Sequence, residues 1–100
     1  MASYLELRRL FKDSDLSNKV ITATIVYAQE LLDATPTAND KAWAASVFSN
    51  PDSEGKKILM GVLAINKSAT VVQIQAATDA QIQTNVNTVA PAMVAAFGGV

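Results

Sequence analysis

The chain contains no cysteine and no histidine. The first absence removes disulfides, thiolate nucleophiles, zinc knuckles and iron–sulfur ligation; the second removes the commonest metal ligand and the side chain best suited to acid–base work near neutral pH. Charge also runs out along the chain: beyond Lys67 the only ionisable side chain is Asp79, and residues 91–100 carry no polar side chain. No stretch approaches the ~20 apolar residues that span a bilayer, and the opening Met1-Ala2-Ser3-Tyr4-Leu5-Glu6 lacks the basic-then-apolar pattern of a signal peptide. The expectation is a soluble protein made in a cytoplasm, with no membrane partner.

The acidic residues are scattered over helix starts and exposed faces, so an acid–base pair would have to be assembled in three dimensions. Asp13-Ser14-Asp15 begins like a calcium loop but lacks the central glycine and the bidentate glutamate, and reads as a helix cap. There is no glycine-rich phosphate loop, no paired-histidine metal helix and no serine-centred elbow. These readings predict a protein that is not an enzyme and needs no metal and no cofactor.

A net charge of -1 offers no cation excess to displace counterions from a phosphate backbone, and Arg8-Arg9 and Lys56-Lys57 are too small to form a basic patch alone. Trp43, Tyr4 and Tyr27 lie among apolar residues without interleaved Arg or Lys, which marks core aromatics and not base-stacking platforms. A helix-turn-helix across the Asn50-Pro51 junction would present Ser53, Lys56 and Lys57 to DNA, but Asp52 and Glu54 at the leading end repel phosphate. Direct nucleic-acid binding is therefore not expected.

What is present is helix punctuation. The chain is 100 residues long and half hydrophobic, enough for one domain (residues 1–100) with its own core. Ser3 with Glu6 forms a capping box opening a helix at 4–11, with Leu5, Leu10 and Phe11 inward. The cluster at 12–15 ends it and caps a central helix at 15–33, on which Leu16, Val20, Ala23, Tyr27 and Leu31 form one stripe beside Ile21, Ile25, Ala28 and Leu32. Val20 to Val26 is the one stretch with strand propensity, and the absence of a hairpin partner favours helix.

Pro36 breaks the chain, and a helix at 38–48 follows with Trp43, Val47, Ala44 and Phe48 inward. Asn50 at the cap and Pro51 at the first turn then open a helix at 51–66 carrying Ile58, Val62 and Ile65 beside Leu59 and Leu63. Gly55 and Gly61 inside it predict close helix approach. Ser68 is read as the cap of a short helix at 69–76, and Thr78 with Gln81 as the box opening a last helix at 79–97. The expected fold is all-α: a small single-domain bundle of about five to six helices, ending in an uncharged helix kinked or divided at Pro91.

That last helix aligns Ile82, Val86, Val89, Met93 and Phe97 opposite a neutral face of Gln, Asn and Thr. Neutral amides can hydrogen-bond across an interface without the desolvation penalty of buried Lys or Glu. Gln83, Asn87, Met93, Val94, Phe97 and Val100 are accordingly the candidate interface residues, with the alternative that the tail completes the monomer's own core.

Four segments carry a resemblance: Leu5-Glu6-Leu7-Arg8-Arg9-Leu10-Phe11; Asp13-Ser-Asp-Leu-Ser-Asn-Lys-Val20; Ala42-Trp43-Ala-Ala-Ser-Val-Phe48 leading into Asn50-Pro51; and Val72-Gln-Ile-Gln-Ala-Ala-Thr78-Asp79. In order and spacing they resemble small all-helical virion proteins of tailed bacteriophages, over most of the chain. The resemblance implies a structural protein of the virion, made in the host cytoplasm: a head–tail connector or adaptor (neck) subunit that assembles as a homo-oligomeric ring at the portal vertex. Its partners would be portal, capsid or tail subunits. Capsid cement and tail-end proteins fit the same features, and a small helical DNA-binding regulator is the remaining alternative. Such proteins are defined by assembly surfaces, so no functional residues carry over.

Overall fold

The computed structural model describes residues 2–98 as six α-helices, with no strand among the described residues: α1 Tyr4–Leu10, α2 Ser14–Asp33, α3 Ala38–Ser49, α4 Pro51–Ile65, α5 Val71–Gln75 and α6 Asp79–Gly98. α2 packs on α3, α4 and α6, which also pack on one another, so the long helices share one core; α1 and α5 lie together at its edge. The bundle measures 38 × 26 × 20 Å.

Local chemistry starts the helices. Ser3/Glu6, Thr37/Asp40 and Thr70/Gln73 form reciprocal capping boxes at α1, α3 and α5. Thr78 and Gln81 exchange the same pair of bonds ahead of α6, at 2.9 and 3.2 Å. α2 is capped by Asp13, whose Oδ1 accepts the Leu16 N–H at 3.0 Å. Three expected caps differ, the first being Ser14 for α2, where the cap is Asp13 one residue earlier. α5 starts at Thr70 and not Ser68, because Gln73 three residues on can return a bond to the Thr70 N–H. Asn50 makes no side-chain cap bond, since it also closes α3 and its φ of -146° serves a one-residue junction.

The core holds Trp43, Val20, Val47, Ile58, Leu59, Ile82 and Val86, all fully buried. Tyr27 meets Trp43 edge to face at 5.7 Å between ring centres. The Val20–Val26 stretch is helical; within it the buried Thr24 donates its hydroxyl to the Val20 carbonyl at 2.7 Å. Several residues assigned inward lie outward: Leu5, Phe11, Leu32, Phe48 and Ile65 are exposed, and each sits on the short α1 or at, near or just past the end of a helix.

Both internal glycines mark close contacts. A Cβ on Gly55 would come within 3.0 Å of Ile21 Cγ1 on α2, and one on Gly61 equally near Val89 Cγ1 on α6. α6 runs through Pro91 without division. Asn87 and Pro91 are both exposed, so the carbonyl deprived of its partner lies on the solvent side, while Ala90 and Val94 anchor the helix in the core.

Candidate functional site

Several polar side chains lining the clefts are already engaged in caps and interhelical bonds. A groove of about 400 Å³ between α4, α5 and α6 is lined by neutral groups including Asn66, Gln73 and Gln81. Gln73 and Gln81 accept backbone N–H groups at 2.9 Å in their capping boxes, and Asn66 donates to the Val62 carbonyl at 2.9 Å. A second cleft, between α1 and α5, contains Glu6, Arg9, Lys12 and Asp13. Asp13 Oδ2 accepts from Gln75 at 3.0 Å while Oδ1 caps α2, and these bonds hold its carboxyl below the usual aspartate range. Glu6 is lowered in the same way, by its capping bonds from Ser3. Among the described residues no three His, Cys, Asp or Glu converge as metal ligands.

One carboxylate is buried. Glu54 Oε1 accepts from the Ser46 hydroxyl at 3.3 Å and from Lys57 at 3.4 Å, tying α3 to α4. Lys57 is therefore engaged with a neighbouring acid at the point where a DNA-reading helix would need a free cation. Trp43, with no exposed surface, is a core anchor and not a stacking platform; its indole N–H has no hydrogen-bond partner. Together with Glu54, Lys57, Met93, Ala96 and Phe97 it borders a cavity of about 220 Å³.

The expected interface residues divide. Val94 is buried in the chain's own core and Met93 packs half-buried against it, which corrects the assignment of Val94 to a partner surface. Its position four residues after Ala90 continues the buried line Ile82, Val86, Ala90. Gln83 donates to the Ala23 carbonyl at 3.1 Å and to Asn87 Oδ1 at 3.0 Å, fastening α6 to α2. Thr84 and Thr88 turn their hydroxyls into their own helix, onto the carbonyls of Ala80 and Thr84. Asn87 and Phe97 remain exposed, and Val100 lies outside the described residues.

The more exposed apolar surface is elsewhere. Tyr4, Leu5 and Val72, on α1 and α5, are 74%, 65% and 73% exposed. The edge is pinned by the Ala2 N–H donating to the Ala69 carbonyl at 2.8 Å and by Gln75 donating to Asp13. The available signal was length: helices of seven and five residues are too short to bury a full stripe.

At the opposite end of α2, Glu30, Leu32 and Asp33 lead into the turn to α3, which bears Asp40. Burial, then Asp40 and Glu30, raise the Tyr27 phenol above its ordinary value.

Comparison of the chain with protein-family models, with curated proteins and with solved structures gives no match in any of the three.

Proposed function

We propose that this chain is a structural virion protein of a tailed bacteriophage, a head–tail connector or adaptor subunit that works by assembling into a ring at the portal vertex. The order of its four resembling segments suggests the class. The observation that carries the reading is the surface: large apolar side chains stand out at both ends of the bundle, among them Tyr4, Leu5, Val72, Leu32 and Phe97. Exposed apolar surface is suited to being covered by other protein. On this reading the work of the chain is done by shape and buried area.

Electron microscopy of particles purified from the source tests the proposal. The expected result is a ring of copies of this chain between capsid and tail. Density for the chain over the capsid lattice or at the tail tip would replace the connector assignment with cement or tail-end protein, and its absence from particles would overturn the virion reading.

A further inference from the structure

We propose that copies of this chain associate end to end, the basic apolar edge formed by α1 and α5 docking on the acidic turn between α2 and α3 of the next copy. The contact gives a partner surface to the assembly reading above and rests on that reading for its biological setting.

The first surface combines Tyr4, Leu5 and Val72, each at least 65% exposed, with Arg8, Arg9 and Lys12. The Arg8 guanidinium stands 6.0 Å from the centre of the Tyr4 ring, so cation and aromatic share one patch. The acids at this edge, Glu6 and Asp13, are bound in helix caps but stay ionised, so the cations Arg8, Arg9 and Lys12 exceed them by one. The second surface has the complementary character. Glu30 and Asp33 flank Leu32 in sequence, and Leu32 is 45% exposed; Asp40, further along the turn, is bound in a helix cap like Glu6 and stays on this surface, where Lys41 is the single cation. Opposite charge around an apolar centre steers and registers a contact.

Geometry keeps the two surfaces from meeting within one molecule. α2 has 20 residues and separates them by about 30 Å. Pairing two basic edges face to face would set Arg8, Arg9 and Lys12 against their own copies, so a dimer built on that edge alone is disfavoured. An edge-to-turn contact made once between each pair of copies is heterologous, head to tail, and closes into a ring or runs on as an open chain according to the rotation between neighbours. A standard interface covers about 800 Å² per partner. Two such faces fit on a subunit with 5950 Å² of surface and leave room for other proteins.

Sedimentation velocity on the purified full chain, over a range of concentrations at about 0.05 M and about 0.5 M salt, reads this directly. Expected are oligomers larger than dimers that weaken at the higher salt. Arg8→Glu with Arg9→Glu, and separately Glu30→Lys with Asp33→Lys, should each weaken association about tenfold or more, with unchanged helical circular dichroism. Mixing the two charge-reversed variants should restore assembly, because each supplies the complement of the other.

A wild-type chain that stays monomeric, an association that stops at two, or variants that assemble as wild type would each overturn the contact. Incorporation of the Arg8→Glu/Arg9→Glu variant into particles at wild-type level would remove the contact and leave the virion reading standing. Charge-swappable oligomers from a chain absent from particles would do the reverse.

Discussion

Gly55→Ala tests the packing of the central helix pair, because two known effects oppose each other there. Alanine in a helix interior is favoured over glycine by about 1 kcal/mol, so an unobstructed site would gain stability. At Gly55 the new methyl would come within 3.0 Å of Ile21 Cγ1 and lie 3.3 Å from Ile21 Cα and Cβ. Ile21 is β-branched and on a helix, which leaves its χ1 essentially one rotamer, and its Cα belongs to the backbone of α2. Relief therefore requires α2 and α4 to separate, loosening Val20, Ile58 and Leu59 nearby. Because the obstruction includes the α2 backbone, the upper part of the usual overpacking range applies, about 2–3 kcal/mol.

After the propensity gain, a net loss of about 1–2 kcal/mol is expected, or a Tm lower by roughly 4–15 °C for a domain of this size. Gly61→Ala supplies the contrast. The three atoms nearest its methyl are all on the Val89 side chain, with Cβ and Cγ2 at 3.4 Å, and Val89 is half-buried. Val89 is as restricted in rotamer as Ile21, but the nearest atoms are all side chain and none is backbone, so Gly61→Ala should cost less than Gly55→Ala. Thermal and urea unfolding followed by circular dichroism measures both. The double variant Ile21→Ala/Gly55→Ala should show coupling of about 1 kcal/mol or more relative to the single changes. A Gly55→Ala chain as stable as wild type, with no coupling to Ile21, would refute the argument that close approach at this point sets the α2–α4 distance.

Trp43→Ala should cost about 3–5 kcal/mol, because the indole is fully buried and its removal leaves a large cavity; Trp43→Phe should cost less in chemical denaturation, since the ring contact with Tyr27 is retained and the unpartnered N–H is deleted. Asp13→Ala should cost about 1 kcal/mol through loss of the α2 cap. Because the folded Asp13 pKa is depressed, its contribution is present above the ordinary value of 3.8 and lost as pH falls below it, so the stability difference between wild type and Asp13→Ala should shrink in acid unfolding titrations. Deleting residues 92–100 should lower the unfolding midpoint of the isolated chain measurably, because Val94 and Met93 pack in its core; an unchanged midpoint would return those residues to the class of free interface groups.

The helix starts were legible because capping is local chemistry. Ser3 with Glu6 and Thr78 with Gln81 are three residues apart, and no distant contact is needed to recognise the reciprocal bonds. Gly55 and Gly61 were readable for a related reason: glycine inside a strong helix pattern signals a backbone contact. Coverage was less legible, since it depends on where neighbouring helices end. Leu5, Phe11 and Ile65 satisfy the apolar spacing of their helices, yet nothing spans far enough to cover them.

The α6 stripe shows how the misassignment of Val94 arose. Drawing the line through Val89, Met93 and Phe97 follows the largest side chains, whereas the buried line runs Ile82, Val86, Ala90 and Val94. A small residue such as Ala90 lets neighbouring backbones approach, so the centre of a tight contact can carry less apolar volume than its margin. The scarcity of charge after Lys67 then has a first explanation inside the monomer: α6 packs against α2, α3 and α4, and ionised side chains on the contacting faces would have to be desolvated. An uncharged segment is therefore weaker evidence for a partner than it looks in sequence. Exposed apolar groups, as at Tyr4, Leu5 and Val72, are stronger evidence, because intramolecular burial does not account for them.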